Sequence, residues 1–233
     1  MFPLEADRDL LRERATRLWQ AKVAEDWNSI LDLFEPQKRA SYSANLFAEY
    51  GTEPVKFLSF SIQDIVTEHD FGWVVAEYRL TLIRYNTLTP ITMQTCDKWR
   101  YINGNWYLVP PREAMMYPES PDVRDRAEEP ILQVQFEKSW AARRRSDWTR
   151  LYRMTDPRDH GGTKLDSFKH SEGEFRYVQC KIGWVEVIGD TGRVLAVYNR
   201  RSTEKKLKNM PPIEATIIEQ WVRIGGAWYL DLN

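Results

Sequence analysis

The chain has 233 residues, 42% of them hydrophobic, with ten tryptophans and a net charge of −1. That is enough for two ordinary domains with real cores, and it excludes a disordered chain. Balanced charge gives no electrostatic case for a nucleic acid or an anionic membrane, and two cysteines, Cys96 and Cys180, are too few for a disulfide scaffold.

Both thiols sit in strand-like runs and read as buried and unbridged. The first residues, "MFPLEADRDLLRERATRLW", carry acids where a signal peptide needs a basic start, and no stretch has the apolar length of a membrane span. As it stands the sequence predicts a soluble, cytoplasmic protein; had a leader been removed, it would read as periplasmic or secreted.

An amphipathic helix comes first, with Leu11, Ala15, Leu18 and Trp19 on one stripe. Asp26 is a suitable N-cap for a short second helix carrying Trp27, Ile30, Leu31 and Phe34, which Pro36 closes. A third short helix is predicted around Leu46, Phe47 and Tyr50, with Gly51 as its C-terminal glycine. Strands follow: "VKFLSFSIQDIV", a turn at Phe71-Gly72, then "WVVAEYRLTLIRY". The segment "DKWRYINGNWYL" is a hairpin with Asn103-Gly104 as a type I′ turn, which sets Trp99 opposite Leu108 and Tyr101 opposite Trp106. Residues 111–128 are proline-rich and charged and read as a linker, with Met115-Met116-Tyr117 able to dock on a domain surface.

The same order then recurs about 120 residues later. Trp140 stands for Trp19, Asp147-Trp148 for Asp26-Trp27, Pro157 for Pro36 and Phe168 for Phe47; "VLAVY" answers "VVAEY", and Trp221 and Trp228 answer Trp99 and Trp106. Leu132, Phe136 and Trp140 form the second stripe, Leu165 lies beside Phe168, and a turn is predicted at Thr191-Gly192. Gly225-Gly226 turns the hairpin "EQWVRIGGAWYL". Ordered matches at Trp, Pro and Gly point to two copies of one domain, at 1–110 and 129–233.

Helices followed by an antiparallel sheet are an α+β layout. The pattern W-x-A-x-x-x-x-D-W, an acidic-Pro stop, strands, and W-x-x-x-x-G-x-W-Y-L resembles the NTF2-like superfamily, which includes SnoaL-like cyclases, ketosteroid isomerase and scytalone dehydratase. The resemblance implies two cone-shaped domains, each with N-terminal helices packed on a curved antiparallel sheet, paired within one chain as a pseudo-dimer. It also implies an apolar cavity in each cone. The expected linings are Trp19, Tyr78, Trp99 and Tyr101 in the first, and Trp140, Tyr198, Trp221 and Arg223 in the second.

No catalytic constellation can be laid on these residues. Glu77 alternates away from Tyr78, and its counterpart is Val197. Among the histidines, His69 falls in a turn and His170 at a helix end; His160 lies near Asp156 and Asp159, in a spacing that matches no metal motif and reads as a solvated loop. Arg143-Arg144-Arg145 reads as a solvated helix face and "EKKLKN" as a hairpin tip. Phosphate-loop, dinucleotide and CxxC signatures are missing, so no cofactor and no metal is expected. The reading is a non-catalytic module that binds a small apolar ligand or a protein partner, with no nucleic acid and no membrane. Its alternatives are a lyase or isomerase with one active cone, and a structural module with plugged cones.

Overall fold

The computed structural model describes residues 5–42, 55–82, 89–207 and 209–232, and the chain divides into two compact units, Met1–Ser120 and Pro121–Asn233. Each unit is α+β: helices first, then a four-stranded antiparallel sheet in sequential order. The first holds helices α1 (Glu5–Ala24), α2 (Trp27–Leu31) and α3 (Pro36–Tyr42), then strands β1 (Val55–Glu68), β2 (Phe71–Leu82), β3 (Ile91–Ile102) and β4 (Asn105–Leu108). In the second, α4 (Glu129–Arg144), α5 (Trp148–Arg153) and α6 (Leu165–Gly173) precede β5 (Phe175–Ile188), β6 (Thr191–Ser202), β7 (Ile213–Ile224) and β8 (Ala227–Asp231). No described helix is long and apolar enough to cross a membrane.

Local chemistry sets these elements as the stripes require. Leu11, Ala15, Leu18 and Trp19 are buried on α1, and Leu132 and Phe136 on α4, each against its own sheet. Full burial of a side chain of this size contributes about 1.5–3 kcal/mol before cavity terms. Asp26 and Asp147 cap α2 and α5 by accepting from the backbone N–H groups of Ser29 and Arg150. Both hairpins have the expected register, Trp99 opposite Leu108 and Tyr101 opposite Trp106, then Trp221 opposite Leu230 and Arg223 opposite Trp228. Asn103-Gly104 and Gly225-Gly226 all have positive φ, as a type I′ turn demands.

The two sheets also share their irregularities. Register shifts interrupt β1–β2 after Phe57 and Ile62, and β5–β6 after Tyr177 and Ile182. A bulge bends its strand and raises the local twist, so both sheets bend at matching places.

Three expectations need correction. The turns fall at His69-Asp70 and Gly189-Asp190, one pair earlier than predicted, and Gly72 and Gly192 already lie in strands. These glycines serve a close approach: a Cβ on Gly72 would lie 2.6 Å from Leu11 Cδ2, and one on Gly192 2.4 Å from Leu132 Cδ2. Cys96 is exposed, because the first half of β3, from Ile91 onward, is largely open, while Cys180 is half-buried. The stretch read as a linker is ordered and packed. Its turn Pro111–Met116 is clasped to α3, where Lys38 and the Tyr42 hydroxyl donate to Glu113. Further along, the N–H of Asp125 donates to the Val187 carbonyl of the second unit. The helix expected around Leu46–Tyr50 lies outside the described residues; its counterpart, α6, buries Phe168.

Candidate functional site

The stripe on each unit's first helix does not stop at its tryptophan. Continuing Leu132, Phe136, Ser139 at the same spacing reaches Arg143, and continuing Leu11, Ala15, Leu18 reaches Lys22. Both cations are buried, Lys22 at 6% exposure and Arg143 at 5%. Burial of a charge demands a partner, and the sheet supplies one. Period-two alternation puts Glu219 on the Trp221 face of β7 and Asp97 on the Trp99 face of β3. Arg143 Nη2 meets Glu219 Oε1 at 2.9 Å, and Lys22 Nζ lies 3.9 Å from Asp97 Oδ1. Arg143 is therefore a core residue and not part of a solvated basic face.

The second pair sits in a larger polar network. The Tyr198 hydroxyl donates to Glu219 Oε1 at 2.6 Å. Arg143 Nη1 donates to Ser139 Oγ at 3.2 Å and to the Tyr198 hydroxyl at 3.4 Å, and its Nε faces Glu172 Oε2 at 3.8 Å. Tyr177 donates to the same Glu172 oxygen at 3.1 Å. Trp140 stacks on Tyr198 at 5.4 Å, with Tyr177 edge-on to both rings. Arg143, Glu172, Tyr177, Tyr198, Ile217 and Glu219 wall a cavity of about 300 Å³.

Electrostatics follow from this packing. Burial alone would lower the Arg143 guanidinium, but the charges of Glu219 and Glu172 outweigh it and hold it above its ordinary value. Burial, then the Glu219 charge, pushes the Tyr198 hydroxyl far above a normal phenol. Burial and then Glu172 raise Tyr177 to about 12. Two groups are left over, the acceptor Glu219 Oε2 and the donor Arg200 Nε, the latter on another residue of the same cavity wall; both are buried and have no hydrogen-bond partner among the described residues. Buried groups of this kind cost free energy.

The first unit completes the matching carboxylate itself. Trp19 Nε1 donates to Asp97 Oδ2 at 2.9 Å, and Lys22 Nζ lies 3.8 Å from the centre of the Trp19 ring. Tyr78 stacks on that ring at 4.8 Å, with Phe57 and Phe60 beyond it. Burial lowers the Lys22 amine, and Asp97 offsets this in part.

Of the eight residues expected to line cavities, the structure joins Trp19 to Tyr78 and Trp140 to Tyr198. Trp99 and Trp221 are core residues, 0% and 1% exposed, each with an indole N–H that has no partner among the described residues. Tyr101 packs on Trp106 at 5.0 Å, and Arg223 pairs with Asp190 and Glu128 by the hairpin turn, away from the Arg143–Glu219 pair. Lys22, Asp97, Arg143, Glu172 and Glu219 were not anticipated, although the stripe spacing and the strand alternation each pointed inward. A wider apolar groove of about 500 Å³, between Ile131 and Val134 of α4 and the Gly226–Trp228 turn, has few polar groups. It offers burial without recognition.

The His160 loop is structural. Its ring stacks on Tyr152 at 4.2 Å and Nε2 lies 2.9 Å from Thr155 Oγ1. Asp156, buried rather than solvated, caps the turn Pro157–Gly161 by accepting from the Arg158 backbone.

No protein-family model matches the chain, and no curated protein matches it. Similar solved structures include a SEC-C motif-containing protein from Rhodopseudomonas palustris, at 17% identity and a TM-score of 0.32, over 39% of this chain and 67% of that one. Another is a protein of unknown function with a cystatin-like fold from Nostoc punctiforme, at 19% identity and a TM-score of 0.33, over 47% and 90%. An NTF2-like protein involved in plasmid conjugation aligns more widely, over 86% and 90%, at 9% identity and a TM-score of 0.30. Likeness at this level transfers no activity.

Proposed function

We propose that the chain is a non-catalytic module of two NTF2-like copies that binds a small molecule in the cavity of its second unit. One observation carries the reading: a cavity of about 300 Å³ in the second unit is walled by the rings of Tyr177 and Tyr198 and by the buried ion pair of Arg143 and Glu219. Pockets for small ligands use placed polar groups to fix what they hold, and here Arg143, Glu172, Arg200 and Glu219 share the lining with Tyr177, Tyr198 and Ile217. The copy relationship is supported by matching strand bulges, matching caps and matching buried ion pairs. A non-catalytic role is supported by where the protons go. Tyr198 and Arg143 both donate to Glu219 Oε1, so neither is poised to stabilise charge developing on a substrate.

Native mass spectrometry of the full chain, purified without denaturation, tests the proposal. One equivalent of a retained small molecule is expected, and its loss in Ile217→Trp, which fills the cavity from β7. A mass equal to the chain alone, with no binder found in a fragment screen by ligand-observed NMR, would overturn it.

A further inference from the structure

We infer that the second unit has a separate site for a single-chain amphiphile with an anionic head, of the medium-chain carboxylate kind, in the groove between α4 and the Gly226–Trp228 turn. The groove shares no lining residue with the cavity proposed above, so the two readings stand or fall independently.

The two units differ at this place. Matched through Trp19 and Trp140, Asp9, Leu10, Glu13, Arg14 and Arg17 of α1 answer to Pro130, Ile131, Val134, Gln135 and Lys138 of α4. In the facing turn, Asn105 answers to Ala227. The first unit keeps this surface polar, and Arg14 lays its guanidinium over the Tyr107 ring, 5.5 Å from its centre. The second unit has put Pro, Val, Gln and Ala in place of Asp9, Glu13, Arg14 and Asn105. Gln135 spends an amide N–H on the Trp228 carbonyl at 3.1 Å. Ile131 and Val134 are left 53% and 50% exposed beside a groove of about 500 Å³. The first unit shows that the fold does not require this exposure, and a contiguous apolar patch kept open marks a binding surface.

The walls supply burial, and the rim supplies a sign. Among the described residues of the lining, Lys138 alone is charged. Its counterpart Arg17 pairs with Asp32 at 3.7 Å, but the residue matched to Asp32 is Arg153. Lys138 therefore has no ion-pair partner among the described residues. A lysine stem covers apolar surface while its ammonium stays at the water's edge, where it attracts an anionic head and repels a cationic one. From Ile131 to Lys138 the helix rises about 10 Å, so a chain lying along α4 sets its tail against Ile131 and its head at Lys138. The volume is that of a small-molecule site. One helix face and one turn form it, whereas a stable protein interface buries about 800 Å² per partner.

Decanoate and decyltrimethylammonium make the test, because they share a tail and differ in the sign of the head. Each is titrated into the full chain by calorimetry at low salt. Decanoate is expected to bind about five-fold more tightly or better, and Lys138→Gln to erase that preference. Val134→Glu, which restores the first unit's residue at an exposed position, is expected to weaken decanoate at least about ten-fold. Ala227→Asn repeats the block should that variant not fold. Ile217→Trp, in the other cavity, should leave decanoate binding unchanged. Equal affinities, a preference that survives Lys138→Gln, full affinity in both blocking variants, or no decanoate binding would each overturn the inference. So would a dimer in sedimentation velocity that Val134→Glu splits, since a second copy of the chain would then fill the groove.

Discussion

Arg143 and Glu219 form a buried ion pair at 2.9 Å, joining the last turn of α4 to the middle of β7. Residues 76 apart along the chain are thereby locked in one geometry beneath the aromatic layer of Trp140, Tyr177 and Tyr198. Lys22 and Asp97 form the same link between α1 and β3.

Removing one side of such a pair leaves the other charge buried alone. Arg143→Met strands Glu219 and Glu172 together, and is expected to destabilise the second unit by about 3–5 kcal/mol. The double variant Arg143→Met/Glu219→Met should recover much of that loss, because two apolar chains of similar volume then fill the site. Urea denaturation of wild type, both single variants and the double variant closes the cycle. An Arg143→Met variant within 1 kcal/mol of wild type would mean that the pair is not buried as described.

Lys22 makes stability depend on pH. Burial lowers its amine below the ordinary 10.5, with Asp97 offsetting part of the shift. The folded chain therefore releases this proton at a lower pH than the unfolded chain does. Between the two values the unfolded state holds the extra proton, so stability rises with pH across a window that ends near 10.5. Unfolding free energies of wild type and Lys22→Met, compared at neutral pH and near pH 10, check the sign. The wild type should gain relative to the variant, and a relative loss would contradict the burial.

The cysteines should react very differently. Cys96 lies exposed on β3, while burial and then the Glu219 charge raise the Cys180 thiol to about 11. Only the thiolate attacks, so a shift from 9 to about 11 leaves about 100-fold less of it at mild pH. A chromogenic disulfide reagent at pH 8 should label one thiol fast and the other slowly, with mass mapping placing the fast label on Cys96. Denaturant should make the rates converge. The sign for folding is opposite to that of Lys22: the folded state keeps the Cys180 proton longer, so this contribution to stability is lost as pH rises from 9 to about 11.

Much of this architecture was legible beforehand because it is written in local spacing. The stripe from Leu11 to Trp19, the caps Asp26 and Asp147 and the turns Asn103-Gly104 and Gly225-Gly226 each depend on a few neighbouring residues. Gly72 and Gly192 were misread for a matching reason. A glycine signals a turn locally, and nothing nearby in sequence reveals that Leu11 or Leu132 will press against that strand. Arg143 was hidden in a run of three arginines whose composition reads as surface, although its spacing from Phe136 put it on the buried stripe.

By itself, then, the sequence determined the elements, their order and their recurrence, because backbone preference and hydrophobic period act over a few residues. The tertiary structure decided which charges are buried and with whom. A cation at the end of a stripe goes inside only if a carboxylate on a distant strand meets it, and desolvation without that partner would cost too much. The same logic separates the two units. Trp19 reaches Asp97 and completes the first pair, whereas Arg143 and Tyr198 pack onto one oxygen of Glu219 and leave the other without a partner among the described residues.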